Sequence, residues 1–359
     1  MDFNESLRAT LHFERPEEVC QFEWGYWPET IARWKREGMR GDNPWDDLPI
    51  TFYHRVPVQV RIFPAFAEEV ISETPDARVI RDGAGIVKEV YKLATTMPRF
   101  LRHPVASPGD FEALKERLDP TDPARFPADW AEQARRLAGR NSVLVLGGTE
   151  ISFFGWHREL MGAEGLLLAF YDQPELIHAI SRHHVHFIRE LYTRIMRDVQ
   201  AEFVFFWEDM SYRNGPLISP ALVRRFLLPY WREMAELFHA HGGYRILLDS
   251  DGDVTKLLPL FVEAGIDGAL PFEVAAGMDI RRIREAWPRL VICGGIDKRQ
   301  IAKGRRAIDR ELEARLPEMF RHGGYLPSMD HHVPPEVSYD DFRYYVARTQ
   351  DLYAKHGRR

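Results

Sequence analysis

The sequence predicts an α/β protein whose parallel strands close into a (β/α)8 barrel, in preference to an open doubly wound sheet. Two observations predict it. From Asn141 onward, short and wholly apolar runs alternate with long helical segments, which is the pattern of repeated βα units. Strands apolar on both faces belong to a parallel sheet covered on both sides, and no run is followed by the GxGxxG or GxxxxGKS/T loop that an open nucleotide-binding sheet would carry. The chain has 359 residues, 45% hydrophobic and 12% aromatic, enough for one large core.

Along the chain, the first hundred residues are rich in Trp and Pro, with a helical pattern from about Pro28 to Gly38. Trp24, Tyr26, Trp27 and Trp34 read as packing across the barrel bottom. VQVRI (58–62) alternates like a first strand, and two strand-like runs around Asp82-Gly83 predict a β-ribbon near 68–93. SPGDFEALKERL and ADWAEQARRLAGR read as amphipathic helices. The later strand candidates are 142–148, 203–209, 244–253, 267–273, 290–297 and 323–328, which with VQVRI make seven of the eight a barrel needs. Helices fill the intervals, including one from Ser219, whose hydroxyl and following Pro220 form a helix start. The expected organisation is an N-terminal extension over 1–50 packed on a barrel over 51–359.

Composition narrows the function. Acidic residues outnumber basic ones 54 to 48, for a net charge of −6, which argues against a nucleic-acid partner. No run of about 18 apolar residues predicts a membrane helix, and the N-terminus lacks a signal-peptide pattern. Cys20 and Cys293 are the sole cysteines, which excludes a disulfide framework and a thiolate-rich metal site and points to a cytoplasmic protein. Cys293, inside a strand, reads as a core thiol.

Barrel chemistry sits at the C-terminal ends of the strands, and those ends are acidic. Glu208 and Asp209 close one run; Asp249, Asp251 and Asp253 the next. Glu273, Asp297 and the group Asp330, His331, His332 follow the last three. Each taken singly reads as a helix N-cap or a solvated loop acid. Converging carboxylates instead raise one another's pKa for proton transfer, or bind a cation or basic group. Asp and His together suit Zn, Mn, Fe or Ni. The HHVH run at His183–His186 reads as a solvated helix face.

In that order and spacing, EDMSYRNGPLISP (208–220), LLDSDGDV (247–254), ALPFEVAAGMDI (269–280), CGGIDKRQI (293–301) and GGYLPSMDHHVPPEVS (323–338) resemble the uroporphyrinogen decarboxylase superfamily, especially its divergent bacterial and archaeal branches. GYWPETIARWKREG, TMPRFLRHPV and HRELMGAEGLLLAFYDQPELI extend the resemblance over nearly the whole chain. It implies a distorted (β/α)8 barrel, homodimerisation, and one of two chemistries: decarboxylation of a tetrapyrrole-like or smaller carboxylated substrate, or methyl transfer between a corrinoid protein and a small acceptor. The RQAGRYLP-like arginine segment and FSD-like motif of the true decarboxylases are missing, and an acidic rim repels a polycarboxylate, so methyl transfer is favoured. The zinc methyltransferases of the superfamily carry an HxC motif and a later Cys. These positions fall here on Asp249, Asp251 and His331, a remodelled set for a divalent metal. The resemblance thus implies Asp209, Asp249, Asp251 and His331 as catalytic residues. Glu208, Tyr212, Asn214, Glu273, Asp297 and Asp330 are implied as substrate-binding residues. A barrel that binds a ligand without chemistry is the non-enzymatic alternative.

Overall fold

The computed structural model describes residues 3–92, 97–140 and 142–357. Seven parallel strands form one curled sheet in the order β1 (Tyr53–Arg55), β6 (Val143–Gly148), β7 (Phe203–Trp207), β10 (Arg245–Asp249), β11 (Gly268–Leu270), β12 (Val291–Cys293) and β13 (Tyr325–Leu326). Strand order follows chain order, as repeated βα units require. Between β1 and β6 stands a separate four-stranded antiparallel ribbon of β2 (Glu69–Glu73), β3 (Ala77–Arg81), β4 (Val87–Tyr91) and β5 (Arg99–Arg102). A short hairpin of β8 (Ser211–Tyr212) and β9 (Gly215–Pro216) follows β7. Among the described residues no helix is long and apolar enough to cross a membrane.

Alternation along the strands divides the core in two. Val143, Val145, Phe203, Phe205, Leu247 and Cys293 point to an interior cluster, while Leu144, Leu146, Val204, Phe206, Ile246 and Ile292 face the surrounding helices. The interior also receives Leu7 and Leu11 from the helix Phe3–Leu11, and Cys20 and Phe22 from the segment that follows it. The Trp24 ring stacks on Phe205 with centroids 5.1 Å apart, and its indole N–H donates to the Cys293 sulfur at 3.2 Å. Beyond it, Tyr26 bridges in parallel to Val333, and Thr51 N–H donates to the Gln21 carbonyl. Residues 19–26 thus run between β13 and β1, where an eighth strand would lie.

Several sequence expectations are corrected. VQVRI is not a strand; the first strand lies five residues earlier, at Tyr53–Arg55. The buried Arg125 guanidinium donates to the carbonyls of Gln59 and Arg61 at 2.7 and 2.8 Å, and Gln59 N–H donates to the Arg125 carbonyl, so that backbone is already engaged. The ribbon has a further strand, β5, beyond residue 93. The helix predicted over 219–242 is two, Pro220–Phe226 and Leu228–Ala240, because Pro229 cannot donate into a continuous helix. His184 is not solvated: it is buried, stacked on Trp156 at 5.2 Å, and only His186 of that run is exposed. Of the aromatic start, Trp34 is buried against Phe342, whereas Trp27 is half exposed beside His332, at the opposite end from the helix Phe3–Leu11.

If residues 19–26 complete the interior, Phe22→Ala, which opens a cavity there, costs about 3–5 kcal/mol in denaturant unfolding, and a change under about 1 kcal/mol shows a loosely packed segment instead.

Candidate active site

The C-terminal strand ends bring Asp209, Asp249, Asp251 and Glu273 into one electrostatic cluster. Asp249 is the last residue of β10. Its side chain keeps some access to solvent while the surrounding protein strips away most of its water. Burial, and then the negative charges of Asp251, Asp209 and Glu273, push its carboxyl well above the ordinary carboxylate range. Its affinity for a proton is therefore raised. Glu273 is raised by burial and by Asp251, an effect opposed by the Gly252 N–H at 3.0 Å, Lys298 at 3.8 Å and His331.

Asp251 and His331 form a second unit, with Oδ2 and Nε2 3.5 Å apart and both side chains about one-third exposed. Asp209 is different. Its backbone is left-handed, φ 41°, a strained state for a residue with a Cβ. The Arg158 guanidinium holds it there, donating to its carboxylate at 2.7 Å and its carbonyl at 2.9 Å while lying 4.8 Å over the Trp207 ring. The Asp209 carboxylate is thus ion-paired with Arg158.

Three of the expected binding residues have their carboxylates occupied by the protein. Glu208 is fully buried and accepts from the N–H groups of Phe153 and Gly155 at 2.9 and 3.1 Å and from the Trp231 indole at 2.6 Å, fixing the start of the helix Phe154–Met161. Asp297 caps the helix Lys298–Ile301. Burial alone would raise it, yet the Arg299 guanidinium and N–H hold it below its usual value. Asp330 is buried and accepts from the N–H groups of Val274 and Lys298, which ties the loops after β11, β12 and β13 together. Tyr212 and Asn214 lie on the exposed β8–β9 hairpin, whose backbone packs on Gly252 in the Asp251 loop. Gly252, at φ 78°, has no room for a Cβ there.

Among the described residues no three His, Cys, Asp or Glu side chains are gathered to hold a metal ion. Asp249, Asp251 and His331 offer two carboxylates and an imidazole, with no thiolate among them. Arg158, Lys298 and His103 were not anticipated. Lys298 immediately follows a strand-end Asp and was open to the same reading; Arg158 sits within a helix and His103 beyond the ribbon, away from any strand end.

The shift of Asp249 fixes the sign of a pH effect. Its folded pKa lies above the unfolded value of about 4, so the folded state binds the extra proton between the two and stability falls as pH rises through that window. Asp249→Asn removes the charge, so the variant gains thermal stability over wild type as pH rises from about 4, and the gap closes below that pH. A constant gap across a melting series would contradict a raised Asp249. Glu208→Ala leaves three donors unpaired and costs about 2–4 kcal/mol by denaturant unfolding, with the chemistry of surviving folded protein intact.

No protein-family model and no curated protein matches this sequence. In structure the chain is similar to a methyltransferase from Methanosarcina mazei, with TM-score 0.55 at 15% identity, over 98% of this chain and 99% of that one. That likeness establishes a shared fold along the full length. A uronate isomerase from Bacillus halodurans C-125 matches at TM-score 0.24 and 9% identity, over 69% of this chain and 63% of that one, too distant to carry any argument.

Proposed function

We propose that this protein is a methyltransferase of the uroporphyrinogen decarboxylase type, a distorted (β/α)8 barrel closed by residues 19–26, which moves a methyl group between a corrinoid protein and a small acceptor. The observation that carries the reading is the end-to-end likeness in fold to a methyltransferase. The acidic strand ends support it, because they disfavour the polycarboxylates a porphyrin decarboxylase takes. The partner's corrinoid would supply the methyl group as an electrophile, with cobalt keeping the bond's electron pair.

This chain's task is then the acceptor's proton. His331 accepts it as the acceptor heteroatom attacks, and Asp251, 3.5 Å away, orients the imidazole and stabilises its positive charge. Asp249, whose affinity for a proton is raised by burial and its acidic neighbours, is suited to donate a hydrogen bond, and Glu273 lies beside Lys298. Asp209 positions: it fixes Arg158 and the strand end rather than moving a proton.

Anaerobic incubation with methylcobalamin and a panel of thiol, amine and pterin acceptors tests this directly. Turnover is expected, with kcat/KM lowered about 10²–10⁴-fold in His331→Gln at unchanged melting temperature. No turnover with any acceptor, together with carbon dioxide release from a carboxylic-acid panel, would replace methyl transfer with decarboxylation.

A further inference from the structure

A cavity of about 540 Å³ lies between the ribbon and the end of β7, outside the acid cluster but sharing Asp209 with it. Such a volume suits a small organic molecule. Its walls are apolar and ring-bearing: Trp207 ends β7, in register with Asp249, while Phe100 on β5 and Met97 are exposed on the facing side.

The charged groups around it are already matched. The guanidinium of Arg61 pairs with Glu159 and that of Arg158 with Asp209, so a ligand bearing a charge of either sign meets no free counter-charge in these pairs. Two uncharged polar groups line the same space or its edge. Thr149 supplies a hydroxyl. His103 Nδ1 lies 2.9 Å from the Glu159 carbonyl, which can only accept, so that nitrogen carries the hydrogen. Burial holds the imidazole neutral by lowering its pKa, which leaves Nε2 with a lone pair. Ring faces plus a half-buried neutral nitrogen acceptor make a selective combination, because an aromatic hydroxyl satisfies both and an aliphatic or ionic molecule satisfies one at most.

We propose that this cavity binds an uncharged aromatic molecule bearing a hydroxyl group, its ring against Trp207 and Phe100 and its hydroxyl donating to His103 Nε2. That the occupant is also the methyl donor or acceptor rests on the methyl-transfer reading. Binding itself does not, and it is measured without any methyl source.

Titration calorimetry of the full chain with 2-naphthol tests it, with 2-methoxynaphthalene, 2-naphthoate and cyclohexanol as controls. A dissociation constant of about 0.1–1 mM is expected for 2-naphthol, as for a ligand of its size. The methoxy analogue, lacking the donor, binds about tenfold more weakly, and His103→Phe erases that difference. Phe100→Ala, at a half-exposed site, weakens 2-naphthol at least about fivefold with an unchanged melting temperature. Failure of 2-naphthol to bind up to about 2 mM would overturn the proposal, as would equal binding of cyclohexanol or 2-naphthoate, or indifference to both substitutions. Binding without methyl-transfer turnover would sustain the cavity and remove only its link to the proposed reaction.

Discussion

A strand covered by protein on both faces cannot carry an unpaired polar side chain along its length, because each such group would lose its water with nothing in return. Val143–Leu146, Phe203–Phe206 and Ile246–Leu248 obey this, alternating between the interior and the helical shell. Polar side chains are therefore driven to the strand ends. One end is occupied by the helix Phe3–Leu11, whose Leu7 and Leu11 join the interior cluster. The other carries the acidic cluster. The placement of the carboxylates thus follows from the covering of the sheet, before any consideration of substrate.

The acids at that end divide by what they hold. Glu208, Asp297 and Asp330 each accept at least two hydrogen bonds from the protein, so their lone pairs are largely committed to shaping loops and helix starts. Asp249, Asp251 and Glu273 crowd one another instead, with Lys298 and the His331 imidazole nearby. Crowded like charges are costly unless a proton, a cation or a substrate relieves them. That cost is borne at strand ends where Asp251 and His331 stay about one-third exposed, which is the physical reason to look for function there.

The strands were legible because apolar runs such as SVLVLGG and FVFFW have few other fates in a chain of this composition. What misled was local pattern answered by a distant residue. VQVRI alternates as a strand does, but Arg125, more than sixty positions on, takes the carbonyls of Gln59 and Arg61. Likewise the segment around Cys20 and Phe22 shows no regular strand pattern, and its place in the interior depends on neighbours on β12 and β7. At the site, strand-end acids were visible as types, yet nothing in the sequence separates Glu208, turned toward Trp231, from Asp209 beside it, turned toward Arg158. Adjacent residues on a terminating strand face opposite ways, and the left-handed turn at Asp209 is a tertiary outcome.

Arg158 links the acid cluster to the ring-lined cavity. By neutralising Asp209 it lowers the negative potential felt by Asp249, and by lying over Trp207 it fixes the ring that forms the cavity wall. A molecule entering the cavity meets Trp207, and through it the residue pair that sets the charge of the neighbouring cluster. In the proposed complex, a ligand that pulled Arg158 from Asp209 would add a free negative charge beside Asp249 and make its proton harder to remove, whereas one that packed Arg158 more tightly would do the reverse.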